Sequence, residues 1–282
     1  MSATTLFIFV ILYFLVLLGV AKITGKNSNN MSFFIGNKNS NWMLVAFGMI
    51  GTSLSGVTFV SVPGAVGKDA FHYLQITLGY LIGYLAIAYV LLPIYYKLNL
   101  TSIYNFLEGR LGFSAYKTGA SFFILSRTLG ATARLYLVVK ILQYFILDSM
   151  HVPFWATTVV ILVMILLYTY EGGVKTIVWT DTLQTSGMLM GLIICSIYIL
   201  SKLDLNVIQG LTAMQNQALA GNPSMHLADV FSMDVNSKSF FLKQIIGGAF
   251  VTLTMTGLDQ EMMQKNISVK TLKDAQKNMV TI

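Results

Sequence analysis

The residues best suited to chemistry in this 282-residue sequence sit inside segments that would otherwise only anchor it in hydrocarbon. From Gly48 to Gly64 the chain reads Gly-Met-Ile-Gly-Thr-Ser-Leu-Ser-Gly-Val-Thr-Phe-Val-Ser-Val-Pro-Gly, with four glycines, five hydroxyl residues and one proline in 17 positions. Glycine and proline weaken a helix. In hydrocarbon every unpaired backbone carbonyl is costly, so unwound chain survives only where protein buries it or it lines a cavity. There its free carbonyls suit a cation, and hydroxyls can complete the shell. Small residues equally serve close helix packing, and the composition leaves both readings open. A second small, hydroxyl-rich stretch, Gly247-Gly-Ala-Phe-Val-Thr-Leu-Thr-Met-Thr-Gly-Leu-Asp-Gln260, runs into Asp259.

Ionisable groups add candidates. Arg127 and Arg134 are seven residues apart and share a helix face, with Lys140 further along. A charge within a span is a functional candidate by default; the alternative is that Arg127 snorkels to the interface while Arg134 pairs structurally. Asp181 stands beside Thr180 and Gln184, where an acid either attracts an exiting cation or caps a helix. His72, His151 and His226 fall at segment edges and read as surface histidines. The single cysteine, Cys195, lies in an apolar run and reads as filler, with no disulfide or metal framework around it.

The elements that must position these residues are membrane spans. Hydrophobic residues make up 55% of the chain and charged residues 10%, against roughly 25% charged in a soluble domain. Apolar runs near the ~20 residues needed to cross a bilayer recur along the sequence. Seven candidate spans are Thr5–Ala21, Trp42–Val66, His72–Tyr96, Tyr116–Leu147, Pro153–Tyr170, Thr176–Ser201 and Phe240–Met263, and an eighth begins near Ala275. The first lacks the basic flank and cleavage pattern of a secretory signal and reads as a retained helix. The fourth exceeds one crossing, so it tilts or extends beyond the bilayer.

Charge alternates between the connections. Those after the odd spans hold 11 of the 18 basic residues, among them Lys22, Lys38, Lys97, Arg110, Lys265 and Lys273. The positive-inside rule then places the amino terminus outside the cell membrane and the loop 204–239 outside as well. With the first span as an extra leading helix, the two irregular segments are the first and sixth of the remaining spans. A five-plus-five inverted repeat with broken helices at matching positions predicts that spacing.

These residues resemble a known family. Glu171-Gly-Gly-Val-Lys-Thr-Ile-Val-Trp-Thr-Asp-Thr-Leu-Gln184 is similar to the most distinctive signature of sodium:solute symporters, and three more stretches fit in order: Thr52–Gly64, Tyr104-Asn-Phe-Leu-Glu-Gly-Arg110 and Asp259-Gln-Glu-Met-Met-Gln-Lys265. The resemblance implies an all-α integral membrane protein of the leucine-transporter type: a leading helix (5–21), a first five-helix repeat (42–201), and the start of a second repeat (240–282) that is otherwise missing from a partial chain. It implies a sodium ion (Na+) held by the backbone carbonyls of Gly51 and Leu54, with the other ligands on a helix beyond residue 282. It implies solute contacts at Ser53, Ser55 and Thr58, with Gln75 and Arg127 as nearest counterparts of a family Gln and Arg, and ion exit past Asp181. Proline-carrying members have an Asp where Ser53 stands, and sugar-carrying members place aromatic rings near Met255 and Thr256; both are lacking here. The closest pattern is that of sialate carriers, which implies a carboxylate-bearing solute.

The function expected is sodium-coupled symport of a small polar or carboxylate-bearing solute. The alternatives are a proton-coupled carrier of the same fold and a transporter-like sensor module. An enzyme is not expected, because the chain has no His-Glu-x-x-His, no Gly-x-Ser-x-Gly and no paired intramembrane aspartates. The expected partners are solute, sodium and the lipid bilayer, with no nucleic acid.

Overall fold

In a computed structural model, residues 3–25, 38–170, 173–219 and 222–282 are described. The amino-terminal helix α1 (Ala3–Thr24) is apolar on all sides, as a lipid-facing helix must be. The second span divides into α2 (Trp42–Ser53) and α3 (Gly56–Asp69). At Ala70, φ 52 and ψ −154 interrupt the chain, and α4 (Tyr73–Ala86), a π-helical turn (Ile87–Leu91) and α5 (Leu92–Lys97) form the third span. That interruption is necessary. The 42 residues from Gly56 to Lys97 would measure about 63 Å as one helix, twice a ~30 Å hydrocarbon core.

A short helix, α6 (Ile103–Leu111), leads into α7 (Phe113–Leu142), the long fourth span, which is extended by a second π turn at Gln143–Leu147. The fifth and sixth spans are α8 (Phe154–Thr169) and α9 (Gly173–Lys202). The connection after α9 carries α10 (Val207–Asn216) and an antiparallel hairpin, β1 (Ala218–Leu219) with β2 (Asn222–His226). The all-helical expectation misses this hairpin because it is local: the Asp229 carboxylate accepts from His226 N at 2.7 Å and closes the turn after β2.

The seventh span is α11 (Phe241–Thr252), a third π turn (Leu253–Gly257) and α12 (Gln260–Ile267), with a 69° bend between the halves. Near the expected eighth span lies α13 (Leu272–Thr281), which buries Ala275, Asn278 and Met279 and exposes Lys273 and Lys277. It is amphipathic where a span would be apolar throughout. Among the described residues four helices are long and apolar enough to cross a membrane, or five with the bent pair.

The tightest helix pair is α4 against α11. A Cβ added at Gly79 would collide with the carbonyl of Ile245, and one at Gly248 with the carbonyl of Ile76. Only glycine permits backbones to approach so closely. The apolar core lies where α2, the first π turn, α12 and α13 meet, with Met49, Ile87, Leu92, Met263 and Met279 all at 0–1% exposure. Outside that core large apolar side chains point outward, Cys195 and Ile197 on α9 among them. That pattern suits a molecule whose solvent is lipid. His72, expected at the surface, is instead buried; the turn that carries it docks under the later loop, Phe71 N donating to Asp229 O at 3.0 Å.

Candidate functional site

The break in the second span falls at Leu54 and Ser55, where the backbone turns extended (φ −86, ψ 114 and φ −101, ψ 160). Leu54 N still donates to Ile50 O at 2.9 Å. The carbonyls after Ile50, that of Gly51 among them, have no helical donor ahead of them, as at any helix end. On the other side Ser55 caps α3: its Oγ accepts from Thr58 N at 3.2 Å and lies 3.0 Å from Thr58 Oγ1. The break therefore sets a carbonyl-rich helix end opposite a helix start that exposes N–H groups and two hydroxyls. The first favours a cation and the second an anion.

The packing reading holds for the glycines before the break, and Gly56 and Gly64 beyond it have open space around them. Gly48 and Gly51 are packing residues: an added Cβ would lie 3.3 Å from Asp181 Cβ at Gly48, and would overlap the Thr185 side chain at Gly51. Thr185 is buried and its hydroxyl donates to Asp181 O at 2.7 Å. Close packing brings α2 to α9 and aligns its end; the extended residues beyond it open the backbone. Ser53 and Thr256 lie beside the Tyr84 hydroxyl, so the third span joins the first break to the third π turn.

Around Lys265 lies a cluster of buried charge. Lys265 is 3% exposed. Its ammonium donates to Asp181 Oδ2 at 2.6 Å, Thr52 Oγ1 at 2.9 Å and Glu261 Oε1 at 3.1 Å, which uses all three of its protons. The Thr52 proton is then directed either to Asp181 Oδ2 (3.2 Å) or to Gly48 O (3.1 Å). Arg127 pairs with Asp259 and lies 3.8 Å from Glu261. Asp259 also caps α12, accepting from Met262 N at 3.0 Å. Tyr104 stands next to this pair, its ring 5.7 Å from Phe123, over which the Arg127 guanidinium lies. Burial, and then the Asp259 carboxylate, push the Tyr104 hydroxyl up, so it remains a protonated donor. Three carboxylates and two cations meet in ion pairs here. The cluster ties α2, α7, α9 and α12 together at the bend.

The expected site residues thus divide. Ser53, Leu54, Ser55 and Thr58 meet at the break, with Gly51 in the helical turn before it. Asp181 does not cap α9, which begins at Gly173; it is held by Lys265 and Thr52 just below the break. Gln75 is fully buried and donates to Ser239 O at 3.2 Å, beneath the loop before α11. Arg127 is engaged by Asp259, and none of its contacts among the described residues is to the serine and threonine hydroxyls of the break. Arg134 donates to Gly130 O of its own helix and lies within electrostatic reach of Glu261. Glu171 and Gly172, which open the signature, lie outside the described residues. Sequence reasoning missed Lys265, counted there as a loop charge. Its signal was present in the i,i+4 pair Glu261–Lys265 directly after a glycine-rich segment.

The architecture is that of a multi-pass helical membrane protein with discontinuous spans. Residues 33–282 match the profile of the Sodium:solute symporter family. The human sodium/iodide cotransporter is 28% identical over 259 residues, 92% of this chain and 38% of that protein. The mouse sodium-coupled monocarboxylate transporter 2 is 25% identical, over 89% of this chain and 39% of its own length. A putative sodium-dependent multivitamin transporter of Drosophila melanogaster is 24% identical, over 90% and 40%. The solved structure of a Na+-coupled sialic acid symporter, substrate-bound and outward-open, superposes with a TM-score of 0.79 at 23% identity, covering 95% of this chain and 55% of that one. The chain belongs to the sodium:solute symporter family. It spans about two-fifths of the length of these curated relatives.

Proposed function

We propose that the chain forms the first part of a symporter in which sodium, bound at the end of α2, drives uptake of a small anionic or carboxylate-bearing solute held at the start of α3. The observation that carries this reading is the extended backbone at Leu54 and Ser55. Sodium takes the carbonyls of Gly51 and Leu54. The solute anion takes the N–H groups of Gly56 and Val57 with the hydroxyls of Ser53, Ser55 and Thr58. Each charge lies at the helix end whose dipole favours it, and the two ligands attract one another across the break. That attraction is a reciprocal coupling free energy, the requirement for symport. Relatives named for iodide and for monocarboxylates support an anion as the solute.

Arg127 and Gln75, with their own partners, take a supporting role in this reading, and the anion is neutralised by the helix start and by sodium. Asp181 lies beside the route along which sodium leaves, with Lys265 as the competing cation, so release requires the Lys265 pairing to loosen. The chain is oriented with its amino terminus outside, and the helices that complete the five-plus-five inverted repeat lie in the rest of the transporter. The test is uptake of iodide and short monocarboxylates by the full-length protein in proteoliposomes. An inward sodium gradient is expected to drive accumulation of one of them, with sodium raising solute affinity. Accumulation that follows a proton gradient and ignores sodium would refute the reading.

A further inference from the structure

Helix α1 packs closely at one end only. Near its carboxyl end Leu17 and Ala21 are buried, and Thr24 Oγ1 lies 3.0 Å from Thr176 Oγ1 of α9. Near its amino end it touches α8 and the π turn Gln143–Leu147 but leaves between them a cavity of about 370 Å³. Phe7, Ile11 and Phe14 form one wall, and Leu147, Ala156 and Val160 the other. The one hydroxyl in the lining, Thr157, donates to Gln143 Oε1 at 3.1 Å. The Gln143 amide in turn donates to Asp148 Oδ1 (2.9 Å) and Val152 O (2.5 Å). The polar groups at this end satisfy one another, and the cavity presents only hydrocarbon.

We propose that this cavity is a lipid acyl-chain site, filled by one tail of a phospholipid from the leaflet nearer the chain's amino terminus. Depth is the first reason. The connection 148–153 joins two spans and so lies at the interface, and Met164, which lines the deep end, is about 16 Å further along α8. That is roughly half of a ~30 Å hydrocarbon core, the reach of one tail. Capacity is the second. A ~150 Å³ apolar cavity holds benzene, so this one takes on the order of a dozen carbon atoms. An unfilled apolar gap forfeits the dispersion contacts of its lining, and the solvent available at this depth is itself alkyl chain. The tail serves as the missing packing between α1 and the first repeat, and holds the splayed end of α1 in place.

The experiment uses the full-length protein in nanodiscs containing a phosphatidylcholine with a diazirine midway along one acyl chain. After irradiation, labelled peptides are mapped by mass spectrometry. The segments Phe7–Phe14 and Ala156–Met164 are expected to be labelled several-fold more than the peptides around Ile193 and Ile197, which are exposed on α9. Ala156→Trp fills the cavity from one wall and Ile11→Trp from the other, and each is expected to bring labelling down to the α9 level. Even labelling of the wild-type protein overturns the proposal without any variant. So does an enrichment that survives both substitutions, or proximity of these walls to another segment of the same polypeptide.

Discussion

Removing the Lys265 ammonium while keeping its packing, as in Lys265→Met, strands two carboxylates at once. Breaking a buried ion pair by deleting one partner costs about 3–5 kcal/mol. The structure places the loss at the low end of that range. The Glu261 side chain is 48% exposed and regains water, whereas the Asp181 side chain is 17% exposed and keeps only the Thr52 hydroxyl. A loss of about 3 kcal/mol, at somewhat under about 1 °C per kcal/mol for a full-length protein more than twice as long as this chain, lowers the unfolding midpoint by about 2 °C. Adding Asp181→Asn removes the stranded charge, so the double variant is expected to melt above Lys265→Met alone, with a coupling of about 1–3 kcal/mol. Lys265→Arg keeps the charge and stays close to wild type. The assay is intrinsic tryptophan fluorescence during heating of the full-length protein in nanodiscs. A Lys265→Met midpoint within about 1 °C of wild type, or losses for Lys265→Met and Asp181→Asn that simply add, would refute the claim that this pair is buried and coupled.

Other substitutions probe the packing and the break. Gly248→Leu drives a side chain into the Ile76 carbonyl and is expected to cost about 1–3 kcal/mol or more, read as a lower melting midpoint and poorer recovery in detergent. Leucine at the neighbouring Gly247, which has open space, serves as the control. Ser55→Ala removes the cap of α3 at about 1 kcal/mol; solute affinity is expected to fall several-fold while unfolding changes little, and Ser55→Thr is expected to restore it. Asp259→Asn removes the charge that Arg127 pairs with while its side-chain oxygen still caps α12, so proteolysis near the 69° bend is expected to accelerate. An unchanged digestion pattern would mean the pair does not brace that bend.

The helix break could be read in advance because its cause is local. Ser53-Leu-Ser-Gly-Val-Thr58 combines weak helix formers with a capping serine, and the structure breaks the helix within that run. The presence of several apolar spans was legible for a similar reason, since apolar length is a property of the segment itself. Among the described residues, however, four helices, or five with the bent pair, are long enough where seven segments were expected. What lay hidden depends on neighbours distant in the chain. Lys265 follows an apolar span and so looks like a loop charge; only the 69° bend folds α12 back until its ammonium meets Asp181, 84 residues away in sequence. His72 looked like a surface residue because nothing in its own turn reveals the loop that covers it. The π turns were not visible either, because one extra residue in a helical turn leaves composition unchanged. Arg127 could be marked as unusual from its depth, but its partner on α12 could not be named.

In the function proposed above, sodium coupling requires the chain between α2 and α3 to be open inside the bilayer and to close around the ion. Hydrogen–deuterium exchange of the full-length protein, with sodium or potassium present, measures this directly at the amides of Ser55, Gly56 and Val57. Rapid exchange in potassium, slowed at least about ten-fold by sodium while flanking α2 and α4 stay protected, is the result expected of backbone that orders on binding the ion. Slow exchange throughout this stretch, identical in both ions, would mean that its backbone is already satisfied and holds no sodium.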